Sequence, residues 1–246
     1  MTNSRKKSKT VDTDFMEPAR VKIPQPQRIS ASRHGMVATA HFAATKAGVE
    51  ILDHGGNAMD AAVAAAFALG VCEPQASGLG GQTMMVLHVA ETGQTVAVDG
   101  SSRAPNRAVM EALSIKASRL LGYGATTVPS TPATLGYVLE RYGTLRLEQV
   151  LKPAIDLAET GVQITELQRK LQKRELRNFK KGNAAGLFLR GGDKPYPVGR
   201  VFKQPVLAKT FSRLAEAGIE DFYTGLIGER ICEDMEQNGG FIQKDD

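Results

Sequence analysis

The stretch Ala58–Val71 constrains the fold more than any other part of the chain. It is the longest apolar run, dense in alanine and interrupted only by Asp60 and Gly70. Alanine is the strongest helix former, and small side chains all round a helix let a neighbouring element approach closely, so this segment belongs inside a core. Crossing a bilayer takes about 20 apolar residues, which neither this run nor any other supplies, so no membrane span is expected. Ahead of it, Ala44, Ala47, Ile51 and Leu52 fall near helical spacing, and Gly55-Gly56-Asn57 ends that helix with residues that tolerate positive φ. The spacing predicts a helical hairpin, mostly packing rather than chemistry.

After Gly78-Leu79-Gly80-Gly81 the period changes. Strands are predicted over Gln82 to Ala90 and Gln94 to Val98, joined by Glu91-Thr92-Gly93. Met85, Leu87 and Val89 alternate with Met84, Val86 and His88, so both faces are largely apolar, which predicts a sheet covered on both sides. His88 is expected as a core or edge histidine bonded to backbone rather than as a catalytic group. Farther on, Leu135, Val138, Leu139 and Tyr142 keep helical spacing, and so do Leu147, Val150, Leu151, Ala154, Ile155 and Ala158. Pro153 inside the latter predicts a kink or a helix start. Glu166 to Lys181 carries seven basic and two acidic residues over Leu167, Leu171, Leu176 and Phe179, the pattern of one solvated helix face. Gly191-Gly192-Asp193 and Pro195-Tyr196-Pro197 mark a loop. Leu214, Ile227 and Ile231 predict a last helical region ending near Asn238-Gly239-Gly240.

The net charge of +5 is concentrated at one end. Residues 1–30 hold seven basic and three acidic side chains, and the other 216 residues hold 24 and 23. The expected organisation is therefore a flexible basic leader over residues 1–30, followed by a nearly neutral folded region over residues 31–246. A basic face for nucleic acid is poorly supported, and no nucleic-acid partner is expected. The basic cluster is not followed by an apolar segment of the kind a secretory signal needs, and a cytoplasmic location is expected. Two cysteines exclude a disulfide scaffold or a four-thiolate zinc site, and none of the four histidines pairs at metal-ligand spacing, so neither metal nor cofactor is expected. No phosphate loop is present, Gly78-Leu79-Gly80-Gly81 precedes a strand rather than a helix, and Ser101 and Ser102 lie in no nucleophile elbow. Spacing alone thus names a two-sided sheet domain with helices and no reaction.

An ordered series of short motifs says more. Gly35-Met36-Val37-Ala38-Thr39, Gly55 through Ala62, Gly78-Leu79-Gly80-Gly81, Asp99 through Pro105 and Val128-Pro129-Ser130-Thr131 come first. Tyr142-Gly143-Thr144-Leu145, Pro153 through Ala158, Gly199 through Pro205 and Phe222-Tyr223-Thr224-Gly225 follow. Together they resemble the gamma-glutamyltransferase family of N-terminal nucleophile hydrolases over roughly residues 33–242. The resemblance implies an α+β fold, the four-layer αββα sandwich, present here only as a large-subunit part. It also implies a precursor that cuts itself into large and small subunits, the small one beginning with a nucleophilic threonine. That threonine's α-amine, with a pKa of about 7.7–8.0, is the general base, so no separate histidine is needed. An acyl-enzyme forms, backbone N–H groups stabilise the oxyanion, and water or an acceptor amine resolves the intermediate.

No threonine of this chain lies in the context of that nucleophile, so the resemblance implies no catalytic residue here and a partner segment that carries it. The family's transferases usually show Asp-x-Arg-Glu-x-Ala-Pro, whose arginine grips the substrate α-carboxylate. This chain reads Asp99-Gly100-Ser101-Ser102-Arg103-Ala104-Pro105, with Ser101 at the arginine's register and Arg103 two residues on. On a strand that displacement keeps the face but moves about 6–7 Å along. The form looks more like the family's amidohydrolase and acylase branches. Arg103, Ser102 and Ser101 are the expected substrate contacts, and a small-molecule amide is the expected substrate. The alternatives are a catalytically inactive remnant or scaffold and an acylase- or oxamate-type amidohydrolase subunit. A nucleic-acid binder acting through residues 1–30 and 166–181 is a third and weaker alternative. Unpaired strand edges and an open sheet face would make the isolated chain oligomeric.

Overall fold

The computed structural model describes residues 30–109 and 120–246. Two units are distinguished, Met1–His34 and Gly35–Asp246, and all the elements described below lie in the second. The basic leader lies outside the described residues apart from Ser30.

Helices α1 (Phe42–Asp53) and α2 (Ala58–Cys72) form the predicted hairpin. The Asn57 side chain caps α2 by accepting from the N–H groups of Met59 and Asp60 at 2.8 and 3.0 Å, while Asp60 takes the Asn57 N–H at 2.8 Å. A Cβ on Gly48 would meet the Ala61 carbonyl at 3.1 Å, which shows how closely α1 lies on α2. Val63, Ala64, Phe67, Ala68 and Val71 are fully buried. Around α2 lie α3 (Thr131–Tyr142), α4 (Leu147–Thr160) and, against α4, α8 (Pro205–Ala217). Phe67 meets Phe211 of α8 edge to face at 5.8 Å. Pro153 is not a helix start: α4 runs through it, with Pro153 itself buried.

Strands β1 (Thr83–Val89) and β2 (Gln94–Gly100) pair antiparallel, with Thr83 opposite Gly100 and Val89 opposite Gln94. One face of this hairpin joins the core through Leu87, Met85 and Val98. The other does not: Met84 and Val86 are 64% and 76% exposed. The expectation of cover on both sides is therefore half met, because alternation reveals an apolar face but not which chain covers it. His88 is exposed and meets the Thr95 hydroxyl across the strands at 3.2 Å, a side-chain partner instead of the backbone one expected.

The basic segment after β3 (Val162–Gln163) forms two helices rather than one, α5 (Glu166–Arg174) and α6 (Leu176–Phe179). The break falls at Glu175, whose carboxylate holds Arg174 Nε at 2.7 Å and Asn178 Nδ2 at 2.8 Å. Buried Gln168 and Gln172 face inward from α5, which is thus not solvated on every side. Helix α7 (Ala185–Phe188) and strand β4 (Val201–Phe202), paired with β3, follow. The last helical region is likewise split. A short 3-10 turn, Ile219–Phe222, separates α8 from α9 (Leu226–Gln237). Asp221 in that turn binds both Arg213 of α8, at 2.6 and 2.7 Å, and the first N–H groups of α9. Among the described residues no helix is long and apolar enough to cross a membrane.

Candidate functional site

Three loops meet at the open end of the hairpin. The β1–β2 register brings Gln82, just before β1, beside Ser101 and Ser102, just after β2. The segment entering α3 closes the group. Gly81 O accepts from the N–H groups of Ser130 and Thr131 at 3.0 and 3.3 Å, and Ser130 Oγ donates to Gly100 O. Thr83 and Thr131 share a hydroxyl contact of 3.0 Å. Gly100 is required here because a Cβ would overlap Thr134 Oγ1 and the Thr83 carbonyl. The Val128 N–H donates to Arg103 O at 2.9 Å, an isolated antiparallel bridge.

The expected contacts Ser101, Ser102 and Arg103 are contiguous, yet their side chains diverge. Strand β2 ends at Gly100, so the two-residue displacement along a strand does not apply to Ser101 and Arg103. Ser101 turns back: its N–H and its hydroxyl both reach Asp99 Oδ1, at 3.0 and 2.6 Å. Those two bonds hold the Asp99 carboxyl below its usual range. Ser102 donates to Gln82 Oε1 from its N–H at 3.2 Å and from its hydroxyl at 3.4 Å, and accepts from Thr127 Oγ1 at 3.1 Å. Arg103 Nη2 donates to the main-chain oxygen of Asp246. Close by, the Asn106 N–H donates to Asp246 Oδ1 at 2.7 Å.

Sequence reasoning missed Gln82 and Thr127. The available signal was positional: Gln82 directly follows the glycine run and immediately precedes a strand, where a side chain stands at a sheet end. Beside it runs a groove of about 580 Å³, lined by Ala66, Leu69, Gly78, Gly80, Gln82 and Thr131 among others.

Other titratable groups play structural parts. Asp60 is wholly buried and accepts from Asn57 N, Thr144 N, Thr144 Oγ1 and Leu145 N, tying the start of α2 to the α3–α4 turn. Burial, with the Glu73 charge second, pushes the Cys72 thiol up to about 12 and makes it a poor nucleophile. Among the described residues no group of three or more His, Cys, Asp or Glu could hold a metal ion.

Helices on one face of a strand pair, with the other face open and carrying exposed Met84 and Val86, make one side of a layered sandwich. Solved structures match it: gamma-glutamyltranspeptidase from Helicobacter pylori aligns with a TM-score of 0.84 and 36% identity over 89% of this chain and 64% of that one. Cephalosporin acylase from Bacillus halodurans aligns with a TM-score of 0.82 and 30% identity over 94% of this chain and 45% of that one. The fold is thus of the N-terminal nucleophile hydrolase type, α+β. The gamma-glutamyltranspeptidase family profile matches residues 44–246, and the chain belongs to that family. Among curated relatives, the glutathione hydrolase proenzyme of Escherichia coli K12 is 34% identical over 96% of this chain and 40% of its own length. The acylase ACY 1 proenzyme of a Pseudomonas species, strain SE83, is 34% identical over 88% of this chain and 41% of its own. The chain spans about two fifths of the length of such relatives.

Proposed function

We propose that this chain forms the substrate-side wall of an enzyme that cleaves γ-glutamyl or related amides by acyl transfer. The nucleophilic threonine and the oxyanion donors belong to a second segment, a small subunit or C-terminal half, that packs on the hairpin. The observation that carries this is the uncovered pair Met84 and Val86, opposite Asp99 and Ala97 on the strand that runs into Ser101, Ser102 and Arg103. An apolar sheet face beside a polar loop is what a facing sheet would complete. The chain's own residues then hold and orient the acyl group and exclude water, while the partner segment supplies attack and charge stabilisation. The substrate is a small-molecule amide.

A second form of this proposal, an acylase-type amidohydrolase, is favoured by one feature: Ser101, folded onto Asp99, stands where the transferases' arginine is expected. The test is release of p-nitroaniline from γ-glutamyl-p-nitroanilide and from acyl anilides lacking the glutamyl amine. Residues 1–246 alone should give no release above the blank. Together with the segment that begins with threonine, they should give turnover. Turnover by the chain alone, or none by the assembled protein on any acyl anilide, overturns the proposal, and the latter favours an inactive scaffold. Co-purification of a small chain beginning with threonine from native extract checks the partnership directly.

A further inference from the structure

We infer that Gln82 is a substrate-contacting residue of this site, with Ser102 and Thr127 as the positioning residues that aim it. The inference rests on the amide-cleaving function proposed above and names the part of the ligand that this chain touches.

The argument is one of hydrogen-bond polarity. A backbone N–H can only donate, so the atom of Gln82 that faces Ser102 N at 3.2 Å is the carbonyl oxygen Oε1 and not the amide nitrogen. The same oxygen takes the Ser102 hydroxyl proton at 3.4 Å. Ser102 Oγ in turn accepts from Thr127 Oγ1 at 3.1 Å. The Ser102 hydroxyl has therefore spent its single proton inside this relay. Ser101 has likewise given both its N–H and its hydroxyl to Asp99, and Arg103 Nη2 is engaged with Asp246 O. The polar hydrogens of Ser101 and Ser102 are thus committed to the protein itself, while of the Arg103 guanidinium only Nη2 is engaged among the described residues.

Fixing Oε1 leaves Nε2 of Gln82 pointing the other way with two protons. Among the described residues no group accepts from it, and Gln82 lines the groove of about 580 Å³ beside the loop. The class of ligand follows from the donor. A carboxamide N–H pair is neutral and suits an acceptor oxygen that is anionic or uncharged. Gln82 thus holds the oxygen acceptor of the acyl group, whether carboxylate or carboxamide, where a guanidinium would favour the carboxylate. The site should accept acyl amides whose α-carboxylate is replaced by a carboxamide.

Two substitutions separate contact from structure. Gln82→Glu keeps an acceptor oxygen for Ser102, but it replaces the donor NH2 with a second acceptor and adds a negative charge. Gln82→Met removes donors and acceptor alike. KM and kcat are measured on the assembled protein with γ-glutamyl-p-nitroanilide and with its α-carboxamide analogue. Gln82→Met should raise KM about tenfold on both substrates with little change in kcat. Gln82→Glu should raise KM further on the carboxylate substrate than on the carboxamide. An unchanged KM in Gln82→Glu would show that Gln82 only braces Ser102 and would overturn the inference while leaving the amide-cleaving function standing. Absence of turnover by the wild-type assembly on both substrates overturns that function and this inference with it.

Discussion

The surroundings of Asp60 and those of Ser102 are built from the same kinds of group and treat them oppositely. Asp60 is enclosed, and four separate donors converge on its carboxylate. Phe67 of α2 joins Val138 of α3 and Val150 of α4 in one buried apolar cluster. At Ser102 the donors also converge, but on the surface, and the arrangement leaves the Gln82 amide nitrogen unspent beside an open groove. One region uses its polar groups up to hold the chain together. The other orders them and retains a donor, which is what recognition of a ligand requires.

The largest expected effect breaks the enclosed region. Asp60→Ala removes the buried acceptor shared by the N–H groups of Thr144, Leu145 and Asn57, and at about 1–3 kcal/mol for each group left unsatisfied the loss should exceed 3 kcal/mol. Urea denaturation checks this, and a loss under about 1 kcal/mol would show that the loop repairs itself. Phe67→Ala empties the centre of the core and should lose about 3–5 kcal/mol. Val86→Ala, on the open face of the same fold, should cost under about 0.5 kcal/mol. Replacing both Met84 and Val86 by lysine should shift the isolated chain, expected to self-associate, toward monomer in light scattering. Failure to do so would mean that another surface drives association.

Much of the enclosed region was legible in the sequence because its cause is local. Gly55-Gly56-Asn57 ends one helix, alanine density marks a buried one, and the glycines before Gln82 announce a strand. The breaks at Glu175 and at Ile219–Phe222 were not legible, since spacing cannot tell one helix from two that share an apolar side. The open face was not legible from alternation, which is the same whether the covering layer lies in this chain or beyond it, and was expected only through the family resemblance. The site was legible only as a stretch, Ser101 to Arg103. Its geometry depends on residues 82, 102 and 127 meeting across turns, and no local period records that.

A smaller, pH-dependent effect lies at the junction of α8 and α9. Arg213 first, then the N–H groups of Leu226 and Ile227, hold the Asp221 carboxyl below its usual range. The stability this contributes is complete above the unfolded carboxylate's pKa of about 3.9 and is lost as pH falls through the lower folded value. Between pH 6 and 2 the denaturation midpoint should therefore drop, and Asp221→Asn should flatten that drop while lowering the plateau. An unchanged slope in Asp221→Asn would assign the acid limb to other carboxylates.

The thiols give a finer contrast still. Cys72 is buried with its pKa pushed to about 12, and Cys232 is half-buried with its thiol raised by burial as the leading cause. With an aromatic disulfide reagent at pH 8, Cys232 should react slowly and Cys72 only on unfolding, because the thiolate is the reacting form. The smallest effect belongs to the site. Ser101→Ala removes one of the two bonds that lower the Asp99 carboxyl and leaves the N–H bond in place, so the Asp99 titration should move up only part of the way toward its usual value. The carboxyl carbon shift of Asp99 followed by NMR reads this directly. If Asp99 instead returns fully to its usual value, the N–H bond depends on the hydroxyl, and Ser101 itself fixes the turn that carries Ser102 to Gln82.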